Sequence, residues 1–151
     1  MNSFEPKDAD YQARVRASFE RQEAMKTLRI EIVRLEPGEI ELAMPYSTSY
    51  TQQHGFVHAG IVATALDSAC GYAAFSLMPA DAAVLTVEFK INLLAPAKGE
   101  RFLFTSSVVK PGRTITVCEG RAVAVDVEGE KLVATMTGTM MALFDRGGIR
   151  H

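Results

Sequence analysis

The chain has 151 residues, the size of one ordinary domain, and 48% of them are apolar, so a sizeable core is available. With 16 Lys and Arg against 18 Asp and Glu, the formal charge of -2 argues against nucleic acid as the main partner, because phosphate binding needs a basic surface. Two cysteines, Cys70 and Cys118, are too few for a disulfide framework and are expected as reduced core residues, the usage of a cytoplasmic protein.

Residues 1–24 are polar and charged and show no signal peptide. An amphipathic helix is predicted over 7–26, with Tyr11, Val15, Phe19 and Met25 as its apolar stripe. A strand follows over 28–35, where Leu28, Ile30 and Ile32 alternate with polar neighbours. Pro37-Gly38 marks a turn into a second strand over 40–46, and 47–57 is polar and irregular. A long apolar helix is predicted over 58–78, ended by Pro79. Its stretch 59–78 is long enough to span a bilayer, but Asp67 near its centre would cost about 2.5–3.5 kcal/mol there. It is rich in Ala, Gly and Ser rather than Leu, which suits burial inside a water-soluble fold. Period-two runs at 84–94, 101–110, 114–127 and 131–144 predict four more strands, and the tail after Phe144 is expected to fray.

One helix, two strands, a long apolar helix and four strands predict a single α+β domain over 1–151. A six-stranded antiparallel sheet wrapped around a long central helix, with an extra N-terminal helix, is the outline of a hotdog fold.

Asp67 is the charged side chain that stands alone between His58 and Asp81. Burying a lone carboxylate is costly, so its presence in such a helix asks for a chemical reason. Gly60, Ala63, Gly71 and Ala74 share its helix face and leave room for a ligand or another backbone. The helix opens with His58-Ala59-Gly60. Unpaired N–H groups at a helix start can hold a developing oxyanion, and Ala59 and Gly60 keep that backbone open. The His58 imidazole is expected to hydrogen-bond the turn and hold the start of the helix. Gln52 and its neighbours Gln53 and His54 lie in the polar loop. Lys110-Pro111-Gly112-Arg113-Thr114 makes a basic turn able to meet phosphate. His54 and His58 are four apart, but no third metal ligand has suitable spacing, and there is neither a glycine-rich nucleotide loop nor a Gly-x-Ser-x-Gly elbow.

The run from Gln52 to Gly60, followed by Ala65-Leu66-Asp67, resembles the phenylacetate-degradation (PaaI) type of hotdog thioesterase. So do Thr86-Val87-Glu88-Phe89, Leu94-Ala95-Pro96-Ala97 and Pro111-Gly112-Arg113-Thr114, and the likeness runs from about residue 28 to 144. The resemblance implies hydrolysis of acyl-coenzyme A thioesters with no metal, prosthetic group or other cofactor. It implies Asp67 as general base or nucleophile and Gln52 as the residue that positions water or substrate. It implies the Ala59 backbone N–H, beside Gly60, as the group that polarises the thioester carbonyl, and Thr86 as a holder of water. Gly71 stands where some members carry a hydroxyl, and it is kept with His58 as a substrate-binding candidate. Arg113 and Thr114 fall where the nucleotide end of coenzyme A is gripped, and Lys110 and Gly112 beside them are kept as substrate-binding candidates. The usual His-Gly-Gly reads His-Ala-Gly here, which bears on the acyl entrance. The resemblance further implies a homodimer whose site takes groups from both chains, often paired into a homotetramer, with no nucleic-acid or membrane partner.

Two other function classes are open at this level. A hotdog hydratase or dehydratase would need a histidine near Asp67, and a non-catalytic acyl-coenzyme A binder would hold ligand without releasing thiol. Phe75, Met78 and Leu85 are the acyl-tunnel candidates and suggest medium-to-long aliphatic or aromatic acyl groups.

Overall fold

The computed structural model describes residues 3–149. Two short helices, α1 (Tyr11–Arg21) and α2 (Glu23–Thr27), precede strands β1 (Glu31–Glu36) and β2 (Glu39–Pro45). The central helix α3 (Ala59–Phe75) follows, then β3 (Ala83–Leu93), β4 (Arg101–Lys110), β5 (Ile115–Asp126) and β6 (Gly129–Leu143). The strands form one six-stranded sheet in the order β1-β2-β4-β5-β6-β3, with every pairing antiparallel. This is the hotdog arrangement expected from the element order, with the N-terminal helical segment added.

The sheet wraps α3 because its strands alternate. Ile40, Leu42 and Met44 of β2, Phe102 and Phe104 of β4, Cys118 and Ala122 of β5, and Met136 and Met140 of β6 are all buried. Ten of the seventeen residues of α3 are buried, Ser68 and Tyr72 among them toward the N-terminal helical segment. Close approach depends on small residues on both sides. A Cβ at Gly120 would sit 3.2 Å from Leu66 Cδ2 and 3.3 Å from Cys70 Sγ, so a side chain there would push the helix away.

Three boundaries differ from the predicted ones, each for a local reason. The helix expected over 7–26 breaks at Gln22, whose extended backbone (φ -83°, ψ 102°) separates α1 from α2. The strand expected over 28–35 starts at Glu31 instead. Leu28 and Ile30 belong to the helix end: Ile30 N–H donates to Met25 O at 2.9 Å, Arg29 N–H to Lys26 O at 3.1 Å, and Arg29 has φ 54°. That is a Schellman cap, and its two buried apolar residues mimic strand alternation. Helix α3 ends at Phe75, before Pro79, because its last carbonyls find other partners. Arg14 donates to Phe75 O at 3.2 Å and Met78 O at 2.7 Å, and Ser76 Oγ donates to Ala73 O at 2.7 Å. No described helix is long and apolar enough to span a bilayer, α3 with its 17 residues included.

Candidate active site

Asp67 lies midway along α3, half-buried, on the one face of the helix that the sheet does not cover. Gly60, Ala63 and Gly71 keep that face low, and a Cβ at Gly71 would meet nothing within 4 Å. Ala74, the last predicted member of the face, is buried, so the open stretch closes there. Thr86 Oγ1 of β3 donates to Asp67 Oδ1 at 2.7 Å. The register of β3 on β6 shifts between Thr86 and Glu88, so Thr86 points toward α3 just before the sheet edge turns.

Open space lies on two sides of this pair. One cleft, about 220 Å³, is bounded by Gln22, Asp67, Ser68, Tyr72, Val84 and Leu85. The other, about 410 Å³, lies between α2, α3 and Phe89 of β3 and includes Gly60, Ala63 and Asp67. Strand β3 continues past it as an exposed apolar edge, with Leu85, Val87, Phe89 and Leu93 each more than 40% exposed.

The start of α3 carries the second half of the constellation. His58 is the N-cap, and its Nδ1 accepts the Gly60 N–H at 2.9 Å. The expected structural role of His58 is therefore present. Gly60 corrects an expectation: its N–H is spent on His58, so the free donor at the helix start is the exposed Ala59 N–H. Gln52 lies beside Ala59 in a cleft of about 420 Å³ with Phe56, Val62, Leu94 and Pro96. Its Oε1 accepts the His54 N–H and its backbone pairs with Phe56 and Gly55, which holds the loop in one shape.

Gln52 and Ala59 thus come together, and Asp67 and Thr86 come together, but not all four in one chain. Ala59 and Asp67 are eight residues apart on one helix, about 12 Å along its axis. A carbonyl held by the Ala59 N–H is out of reach of the same chain's carboxylate. Gly112, Arg113 and Thr114 lie in the β4–β5 turn that follows Lys110, the last residue of β4, and Gly112 and Arg113 sit beside Phe4, Lys7 and Met78 at the opposite end of α3. Gly112 has a structural duty there, because a Cβ would meet Ile115 O at 2.0 Å. Phe75 and Met78 do not line the clefts at Asp67. They are buried at the C-terminal end of α3, whereas Leu85 does face the carboxylate's cleft. Sequence reading missed Gln22, which borders both clefts beside Asp67. Its only signal was a polar residue in line with an apolar helix stripe.

The sequence model of the thioesterase superfamily matches residues 54–130. A solved structure of a thioesterase family protein from Silicibacter pomeroyi is 61% identical, with a TM-score of 0.88 over 89% of this chain and 98% of that one. The PaaI protein of E. coli, from the phenylacetic acid degradation operon, shares the fold with a TM-score of 0.80 at 21% identity, over 91% of this chain and 96% of that one. Human acyl-coenzyme A thioesterase 13 is 30% identical over 88 residues, which are 58% of this chain and 62% of that protein.

Proposed function

Because the chain belongs to the thioesterase superfamily, a superfamily of thioester hydrolases, we propose that it cleaves acyl-coenzyme A to free acid and coenzyme A at Asp67. The observation that carries this reading is a carboxylate on an open helix face, held on one oxygen by Thr86 and bordered by two clefts. The thioester carbonyl binds at the Ala59 N–H, where the partial positive charge of the helix start stabilises the developing oxyanion. Gln52, beside it, orients the substrate. Asp67 then either deprotonates a water that attacks the carbonyl, or attacks it directly to give a mixed anhydride that water resolves; in both routes the C–S bond breaks and coenzyme A leaves as the thiolate.

The 12 Å gap is closed by a second copy. In a homodimer with α3 helices running in opposite directions, Ala59 and Gln52 of one protomer face Asp67 of its partner. The exposed apolar edge of β3 supplies surface for that pairing. Two such dimers pair into a tetramer. Phe89 and Leu85 beside the carboxylate favour medium-to-long aliphatic or aromatic acyl groups, and Arg113 and Lys110 suit the nucleotide phosphates. Two free buried cysteines fit a cytoplasmic setting.

Thiol release measured across a panel of acyl-coenzyme A thioesters tests the proposal. Turnover is expected with at least one acyl class, and Asp67→Asn is expected to lower kcat by about 10²–10⁴ with the fold intact. Wild-type turnover in Asp67→Asn would overturn the assignment.

A further inference from the structure

Four hydroxyls border the two clefts at Asp67, and each already has a partner. Thr64 Oγ1 donates to Gly60 O at 2.8 Å, and Thr86 Oγ1 to Asp67 Oδ1 at 2.7 Å. Ser68 Oγ donates to Gln22 Oε1 at 3.1 Å, and Tyr72 OH pairs with Ser18 Oγ at 3.2 Å. Gln22 borders both clefts as well, and its side-chain oxygen is the end that Ser68 engages.

Gln22 is held in place. Helix α1 is laced to α3 by successive contacts: Arg14 to the carbonyls of Phe75 and Met78, Phe19 edge-on to Tyr72 at 5.6 Å, and Gln22 to Ser68. Its extended backbone ends α1 at this point and turns the side chain toward the residue next to Asp67. The Ser68 hydroxyl occupies the amide oxygen, so the amide nitrogen is the end left for the clefts.

We infer that Gln22 is a further catalytic residue whose amide N–H groups hold the water that Asp67 activates. The inference rests on the thioesterase reading of Asp67. A water used as a nucleophile gives one proton to the carboxylate. A fixed donor on one of its lone pairs leaves the other lone pair aimed at the carbonyl carbon. Thr86 holds Asp67 Oδ1, which leaves Oδ2 for that proton. The N-terminal helical segment therefore belongs to the reaction site as well as to the core.

The experiment compares Gln22→Met, which keeps length and volume, with Gln22→Glu, which keeps the oxygen that Ser68 donates to and loses the N–H groups. Both are made in the wild type and in Asp67→Asn. Loss of one hydrogen bond to the reacting water is expected to lower kcat about tenfold. KM is expected to stay within about twofold, and neither variant is expected to reduce the residual rate of Asp67→Asn further, since groups that act as a unit are not additive. Unchanged kcat in both variants, or the same fold-loss in both backgrounds, would overturn the role of Gln22 and leave Asp67 standing. Wild-type turnover in Asp67→Asn would instead remove the parent reading and this one with it. The Glu variant decides the question if the Met variant does not fold.

Discussion

Thr86 Oγ1 and Asp67 Oδ1 lie 2.7 Å apart, so a hydrogen bond ties an edge strand to the middle of the central helix. Nineteen residues and a chain reversal separate the two in sequence. The bond leaves one carboxylate oxygen free and sets which one it is. Thr86→Val keeps the shape and removes the donor, and it is expected to lower kcat about tenfold with little change in KM. Thr86→Ser is expected to keep most of the rate. Steady-state thiol release on both variants checks this, and a Val variant as fast as the wild type would detach Thr86 from the chemistry.

The distance between Ala59 and Asp67 within one chain gives a second prediction. Asp67→Asn and Gln52→Ala homodimers are each expected to be strongly impaired. Mixed after unfolding and refolding together, they form heterodimers in which one of the two sites has both native residues. Random pairing then restores about a quarter of wild-type activity. If both residues serve the same chain, mixing restores nothing, and the shared-site arrangement fails.

Arg14 gives a prediction about stability. Its guanidinium bonds Asp8 at 2.8 Å, takes the Phe75 and Met78 carbonyls, and lies 4.2 Å over the Phe75 ring. The side chain is only 14% exposed, so solvent screens these bonds little. Arg14→Met takes the side-chain donor from the Met78 carbonyl, removes one of two donors to Phe75 O and unpairs Asp8, and is expected to cost about 2 kcal/mol. Urea unfolding measures it, and a change below about 0.5 kcal/mol would show that α1 is held by its apolar stripe alone.

Cys70 offers a pH-dependent check. Burial pushes its thiol up from 9.0 to about 11, against a smaller lowering by the Ser106 hydroxyl. Burial pushes the Cys118 thiol up as well. At pH 8 both are almost wholly protonated, so iodoacetamide is expected to label them slowly in the native protein and quickly in denaturant. The folded form holds the Cys70 proton more tightly than the unfolded form. Its contribution to stability is therefore complete below pH 9 and is lost as pH rises toward about 11. Fast native labelling at pH 8, read by mass spectrometry, would contradict this burial.

Much of the architecture was legible in the chain. The period-two runs placed β2 to β6 to within a residue or two, since half-buried strands must alternate. Leu28 and Ile30 misled the same rule, because a Schellman cap also buries two residues spaced by two. The helix break at Gln22 was not visible, since it is a choice of one backbone angle in a residue with ordinary helix propensity. Phe75 and Met78 were read as tunnel residues because their side chains are apolar, and apolarity alone does not separate a core from a cleft.

By itself the sequence determined which chemistry was on offer: a lone carboxylate in a helix of small residues, and open backbone where that helix begins. Those are properties of residue type and spacing along one element. Tertiary structure decided which groups meet. It brought Thr86 and Gln22 to Asp67, tied the Gly60 N–H to His58, and set Ala59 about 12 Å from the carboxylate. Contacts between elements depend on packing angle, register and helix ends, and none of these is written in the periodicity of a single strand or helix.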